Sequence, residues 1–255
     1  MNLQRFITAK QEELAQLRQF MPAALNITRP SFYQCLMTPP AEGIVQHVIA
    51  EYKRASPSAG DININLNAAD VARQYAAAGA SCMSVLTEEK YFKGSIGDLH
   101  PAAPAGIPLL RKDFIFDALQ VQQTFSSPAS ALLLIVALTP DVQQLRDLRE
   151  QAESQGIDAV VEIFTEAELE RARESGARII QVNARNLEDF STNREKGLQL
   201  AAQRQEGECW IAASAMSQYS HLVDSRQANY QAALVGTALM TGSNPKQNLQ
   251  QLLRP

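Results

Sequence analysis

The sequence predicts an α/β protein: a single (β/α)8 TIM barrel over residues 1–255, with 1–46 as an N-terminal helical extension. Three observations carry that expectation. From Val48 onward, short apolar runs alternate with helical patterns, which builds a parallel sheet joined by crossovers. Eight such runs fit into 255 residues, a length that suits one barrel. No G-x-G-x-x-G follows the first run and no linker or composition shift marks a second domain, so a doubly wound open sheet fits less well.

Leu3, Phe6, Ile7, Leu14 and Leu17 recur at helical spacing and predict an amphipathic helix over 3–19. Arg29-Pro30-Ser31-Phe32 opens a short second helix, since proline and serine both suit a helix start. Residues 48–52 read as the first strand and 81–86 as the second, with a helix over 69–78 between them that Gly79 stops. The third strand is 108–111, and Pro101 and Pro104 forbid a regular helix in the crossover before it. Residues 131–136 are wholly apolar, as a strand buried on both faces should be. Strands over 159–163, 178–182, 208–212 and 232–235 complete the set, with helical patterns over 141–154, 166–175 and 245–253.

A formal net charge of −4 offers no broad cationic field for nucleic acid or an anionic membrane, so a small ligand is expected. Cys35, Cys82 and Cys209 are odd in number and lack metal-ligand spacing, which suits a reduced, cytoplasmic compartment. The apolar run over 131–138 is far too short to span a bilayer, and the N-terminus has no apolar export core. His47, His100 and His221 fall outside the strand ends and read as ordinary surface or packing residues. Nothing in the pattern speaks to oligomeric state.

In a barrel, the polar residues that close each strand converge on one pocket. Glu51 and Lys53, two apart on the first strand, point to the same face. Behind them Ser56-Pro57-Ser58-Ala59-Gly60 is a turn-forming run that brings hydroxyl and amide donors. Lys112 closes the third strand, Glu162 the fifth, Asn183 and Arg185 the sixth; Ser214 follows the seventh, Gly236 and Thr237 the eighth. Crowded opposite charges cost desolvation energy and shift pKa values, which suits proton transfer better than stability. Lys112 reads either as a surface partner of Asp113 or as a general acid or Schiff-base amine. Glu162, set among apolar residues, is either a rim salt bridge or a working carboxylate, because burying it without a partner is costly. Arg185 has the planar fork that holds a carboxylate at two points. Asn186 reads equally well as a turn residue. Gly236-Thr237 resembles the last-strand loop that offers backbone N–H groups to a phosphate.

At these residues the chain resembles indole-3-glycerol phosphate synthase, a barrel family of tryptophan biosynthesis. The matching stretches are I-A-E-Y-K-R-A-S-P-S at 49–58, S-V-L-T-E-E-K-Y-F-K-G-S at 84–95, P-L-L-R-K-D-F-I-F-D at 108–117 and N-A-R-N-L at 183–187. The resemblance implies a lyase that converts 1-(2-carboxyphenylamino)-1-deoxyribulose 5-phosphate to indole-3-glycerol phosphate, carbon dioxide and water. It implies general acid/base catalysis with no metal or organic cofactor. Lys112 would protonate the carbonyl oxygen as the ring carbon attacks, and Glu162 would help remove a proton during dehydration. Lys53 would be a second acid or the partner of the substrate carboxylate. Glu51 and Asn183 would orient these groups and Arg185 would face the anthranilate carboxylate. Ser214, Gly236 and Thr237 would bind the phosphate, and Ser56 and Ser58 would begin a substrate-covering loop.

One stretch departs from the family pattern. Where the family reads S-E-S-G-I after strand seven, this chain has Ala212-Ala213-Ser214-Ala215-Met216. Ala213 removes a carboxylate that would balance the lysines. Ala215 puts a Cβ where the backbone approaches a phosphate or adopts φ > 0, which costs alanine about 1–2 kcal/mol. Ala59 stands where the family usually has a lysine. Three readings stay open on sequence alone: a working synthase, a non-catalytic relative that binds a phosphorylated ligand or partner, and a barrel enzyme of altered sugar-phosphate specificity.

Overall fold

A computed structural model of the chain describes residues 3–185 and 193–255. Its strands are β1 (His47–Tyr52), β2 (Cys82–Leu86), β3 (Leu109–Ile115), β4 (Ala131–Ile135), β5 (Asp158–Ile163), β6 (Ile179–Asn183), β7 (Cys209–Ala213) and β8 (Ala232–Val235). All pair in parallel and close on themselves, with β1 lying beside β8 from His47 opposite Ala232 to Ala50 opposite Val235. The (β/α)8 expectation therefore holds. Strand bounds agree with the sequence reading to within one residue, except that β3 runs on to Ile115 instead of ending at Arg111. There the alternation of charge hides the strand: Lys112 faces the barrel mouth, while Arg111 and Asp113 pair with the N-terminal helix on the outside.

Alternate residues of each strand fill the barrel, including Ile49, Leu110, Leu133, Val160 and Ile211, and the intervening residues pack beneath the helices. The helices are α1 (Gln4–Gln19), α2 (Phe32–Met37), α3 (Ala68–Ala78), α4 (Leu99–Ala102), α5 (Ala118–Thr124), α6 (Val142–Glu153), α7 (Glu166–Glu174), α8 (Arg194–Leu200), α9 (Tyr219–Gln227), α10 (Thr237–Met240) and α11 (Pro245–Leu252). Helix starts are chemically marked: Ser31 caps α2 by accepting the Gln34 N–H at 3.1 Å, and Asp117 and Thr165 form capping boxes on α5 and α7. Pro101 and Pro104 leave only the short α4 between two 3₁₀ turns, as expected. No described helix is long and apolar enough to cross a membrane.

The N-terminal helix is fastened to β3 by both packing and charge. The Phe6 ring stacks on Phe114 at 3.8 Å between centroids. Lys10, buried on the same face, places Nζ 2.7 Å from Asp113 Oδ1 and 2.6 Å from Glu13 Oε2. Asp113 also accepts from the Thr87 hydroxyl at 2.6 Å and lies 3.3 Å from Arg111. Burial would raise the Asp113 pKa, but Lys10 and Arg111 outweigh it and hold the carboxyl down at about 2. A depressed carboxyl contributes stability above its unfolded pKa of about 3.9 and loses it as pH falls toward the folded value. Lys10→Met is accordingly expected to lower unfolding free energy by about 3 kcal/mol at neutral pH, since it strips one partner from a buried charge. Urea titrations should show that deficit shrinking between about pH 4 and 2, as Asp113 loses its charge.

Candidate active site

Each site residue expected from the sequence lines one cavity of about 460 Å³ at the C-terminal ends of the strands. Glu51, next to last in β1, is 3% exposed and sits between two ammonium groups. Lys53 Nζ is 2.7 Å from Glu51 Oε1, and Lys112 Nζ is 3.5 Å from Oε2. Burial opposes ionisation of Glu51, yet Lys53 and then Lys112 prevail and leave its pKa below the ordinary value. Burial likewise works against the Lys112 charge, but Glu51 and Glu162 overcome it and push its pKa up. The alternative of a Lys112–Asp113 surface pair is thereby settled, because Asp113 faces Lys10 and Arg111 instead.

Gly236 closes β8 against this pair. A Cβ there would fall 2.2 Å from Glu51 Oε1 and 3.0 Å from Lys53 Nζ. Close approach is thus one reason for a glycine here. Thr237 follows at the start of α10 and also lines the cavity.

Across the cavity Glu162 lies on β5, 2% exposed. The Gln181 amide, beside it on β6, donates to Glu162 Oε2. Burial raises the Glu162 pKa, and Lys112, Asn183 and Gln181 only partly offset it. A carboxyl poised above its usual range next to a cation is suited to taking up and returning a proton. Asn183 ends β6, and its Oδ1 accepts the Ser214 hydroxyl at 2.7 Å and the Arg185 N–H at 3.0 Å. One amide thus ties together the loops after β6 and β7. Asn186 and Leu187, the end of the N-A-R-N-L stretch, lie outside the described residues.

The strand-seven departure is visible as geometry. The odd-numbered strands present Glu51, Lys112, Glu162 and Ala213 to the cavity: three charged groups and one methyl. Beyond Ala213 the chain turns through Ser214 at φ 71° and Ala215 at φ 55°. Left-handed backbone costs a residue with a Cβ about 1–2 kcal/mol, so the expected φ > 0 at Ala215 is present and strained.

After β1, Ala55–Ser56 and Gly60–Asp61 pair as a two-stranded ribbon, with Ser56 Oγ accepting the Ala59 N–H at 3.1 Å. Ser56, Pro57 and Ser58 overhang the cavity from this ribbon. Arg54, paired with Asp98 at 2.5 and 2.7 Å, ties it to the crossover after β2.

Sequence reasoning missed the apolar half of the site. Phe92, Phe114, Leu133, Ile135 and Leu234 line the cavity with apolar surface. Apolar strand residues look alike in sequence whether they face a core or a pocket. Phe92 had a signal: the buried Glu88 carboxylate accepts N–H groups from Lys90, Tyr91 and Phe92 at 3.1, 2.8 and 3.0 Å, which folds E-K-Y-F back toward the mouth. Among the described residues, no three His, Cys, Asp or Glu side chains group as metal ligands.

The family profile described as Indole-3-glycerol phosphate synthase matches residues 3–252. The chain belongs to the indole-3-glycerol phosphate synthase family. A synthase of that name from Lacticaseibacillus casei is 38% identical over 239 residues, 93% of this chain and 90% of the relative. Another, from Exiguobacterium sibiricum, is 36% identical over 246 residues, 95% of this chain and 93% of the relative. The crystal structure of a 3-hexulose-6-phosphate synthase superposes with a TM-score of 0.64 at 12% identity, covering 81% of this chain and 97% of that one, a likeness of fold alone.

Proposed function

We propose that the protein is an indole-3-glycerol phosphate synthase that works by general acid/base catalysis. The observation that carries this reading is Glu51 held between Lys53 and Lys112, facing Glu162 in the same cavity. The anthranilate ring of the substrate packs on the Phe92–Phe114 wall, and Arg185 faces its carboxylate. The phosphate binds at the far side, at Ser214, Gly236 and Thr237, and Ser56 and Ser58 cover the substrate from the ribbon.

The ring carbon that bears the carboxylate attacks the ketone while Lys112 gives its proton to the carbonyl oxygen. Carbon dioxide then leaves, and its bonding electrons restore the ring. The new hydroxyl departs as water with a proton from Lys53, and Glu162 takes the proton lost from the neighbouring methylene carbon. Glu51 holds both ammonium groups in place, and Asn183 braces the loops around them. Carbonyl protonation, departure of water and loss of the methylene proton are each proton transfers, and the ring takes up the electrons that carbon dioxide leaves behind, so the chain's own acids and bases suffice.

The same reading takes residues 1–255 as one barrel domain with 1–46 as its extension, in the cytoplasm, where three unpaired thiols persist. The test is to mix purified protein with the carboxyphenylamino-deoxyribulose phosphate and follow indole fluorescence. Turnover is expected. No signal above background at high protein concentration sinks the proposal, and binding without turnover points to a non-catalytic relative.

A further inference from the structure

We propose that Gln181 is a positioning residue for Glu162, an amide that donates to its carboxylate and, turned half-way about its last bond, accepts from its carboxylic acid. The inference rests on Glu162 being the base of the dehydration step.

Gln181 sits in the middle of β6 with its side chain inside the barrel, opposite Glu162 on β5 and Ile211 on β7. It is fully buried and lies below the cavity, out of reach of a substrate. Its Nε2 donates to Glu162 Oε2, while its Oε1 has no hydrogen-bond partner among the described residues. A buried carbonyl left unpaired costs stability, and methionine or leucine would fill the same space without that cost. The orphaned oxygen acquires a use once Glu162 changes protonation. An ionised carboxylate only accepts and needs the Nε2–H, whereas the acid carries an O–H that needs an acceptor. Rotating the amide exchanges nitrogen for oxygen in the same volume, so one side chain satisfies both states.

The surroundings leave Gln181 a distinct share of this task. Glu162 is faced by Lys112 from β3, by Glu51 from β1, and by Asn183 with Arg185 beyond it from β6. β4 and β7 present Leu133, Ile135, Ile211 and Ala213, none of which titrates. Lys112 and Asn183 belong to the substrate cavity and engage the reacting groups. Gln181 is the partner that stays with Glu162 through the cycle.

The test is the protonation of Glu162 itself, read as its carboxyl C=O infrared band and assigned by the band's absence in Glu162→Gln. In Gln181→Met the apparent pKa of Glu162 is expected to rise by about one unit, because a donor to the charged form is gone. The same direction is expected in Gln181→Leu, prepared in parallel because its shape differs. At pH below the parent's own Glu162 pKa, kcat should fall about tenfold and recover as pH rises above the variant's, with KM within about twofold of the parent and the melting temperature unchanged or higher. A Glu162 titration identical in the parent and both variants overturns the proposal, as does a uniform loss of kcat at every pH. The infrared arm needs no turnover: a parent that makes no indole-3-glycerol phosphate defeats the proposed function, whereas a parent that turns over with an unshifted Glu162 defeats only the role of Gln181.

Discussion

Lys112→Ala is expected to reduce kcat by about 10³-fold or more, within the range attributed to a positioned general acid. Two effects combine. In the proposed mechanism the variant loses the proton donor at the carbonyl, and Glu162 loses the cation that lowers its pKa, which then climbs further above the usual carboxylate range. The fold should survive, because Glu51 keeps Lys53 at 2.7 Å and no other charge loses its only partner. Steady-state indole fluorescence beside a thermal melt separates the outcomes. A loss smaller than tenfold with an intact melt would transfer the condensation step to Lys53.

The double change Ala213→Glu with Ala215→Gly is expected to raise turnover by about tenfold, below the 10²–10⁴-fold span of a single acid–base group because Glu162 already supplies one base. Ala213 ends β7 opposite Asn183 and beside Leu234, facing the cavity, so a glutamate there reaches the reacting centre without moving the barrel. With Asp113 taken up by Lys10 and Arg111, Glu51 and Glu162 are left to balance Lys53, Lys112 and Arg185 in the cavity lining, and a glutamate at 213 evens that count. Glycine at 215 removes a Cβ from backbone at φ 55° and relieves about 1–2 kcal/mol of strain, minus about 0.4–1 kcal/mol for the looser unfolded chain. Ala213→Glu alone should show part of the gain. If the double variant turns over more slowly than the parent, the added carboxylate is raising Glu162 out of its working range, and the alanine is an adaptation to a single base.

The barrel was readable because its signals are local and repeated: apolar runs such as 131–135, stop signals such as Gly79, and prolines such as Pro101 where a helix had to fail. The site was readable because charged residues at strand ends, Glu51 and Lys112 above all, are too costly to bury without use. Gln181 was not, since a single amide within an apolar strand carries no sign of its neighbour across the sheet. Nor was Lys10, whose partner lies about a hundred positions away; in sequence it is one more charge on a helix that already shows an apolar stripe. The aromatic wall was hidden for the opposite reason: Phe114 and Leu133 obey the core pattern fully, and only the geometry distinguishes a lining from a filling.

Gly236 directly follows the last strand and Glu51 lies in the first, so this close approach falls on the seam where the two ends of the sheet meet. That location ties catalytic competence to completion of synthesis. While the ribosome holds the chain short of β8, Glu51 and Lys53 have no wall behind them, however much of the barrel has collapsed, and the long sequence separation of the seam makes it a slow contact to form. Turnover during refolding is therefore expected to return later than the fluorescence change that marks burial of Trp210 in the core.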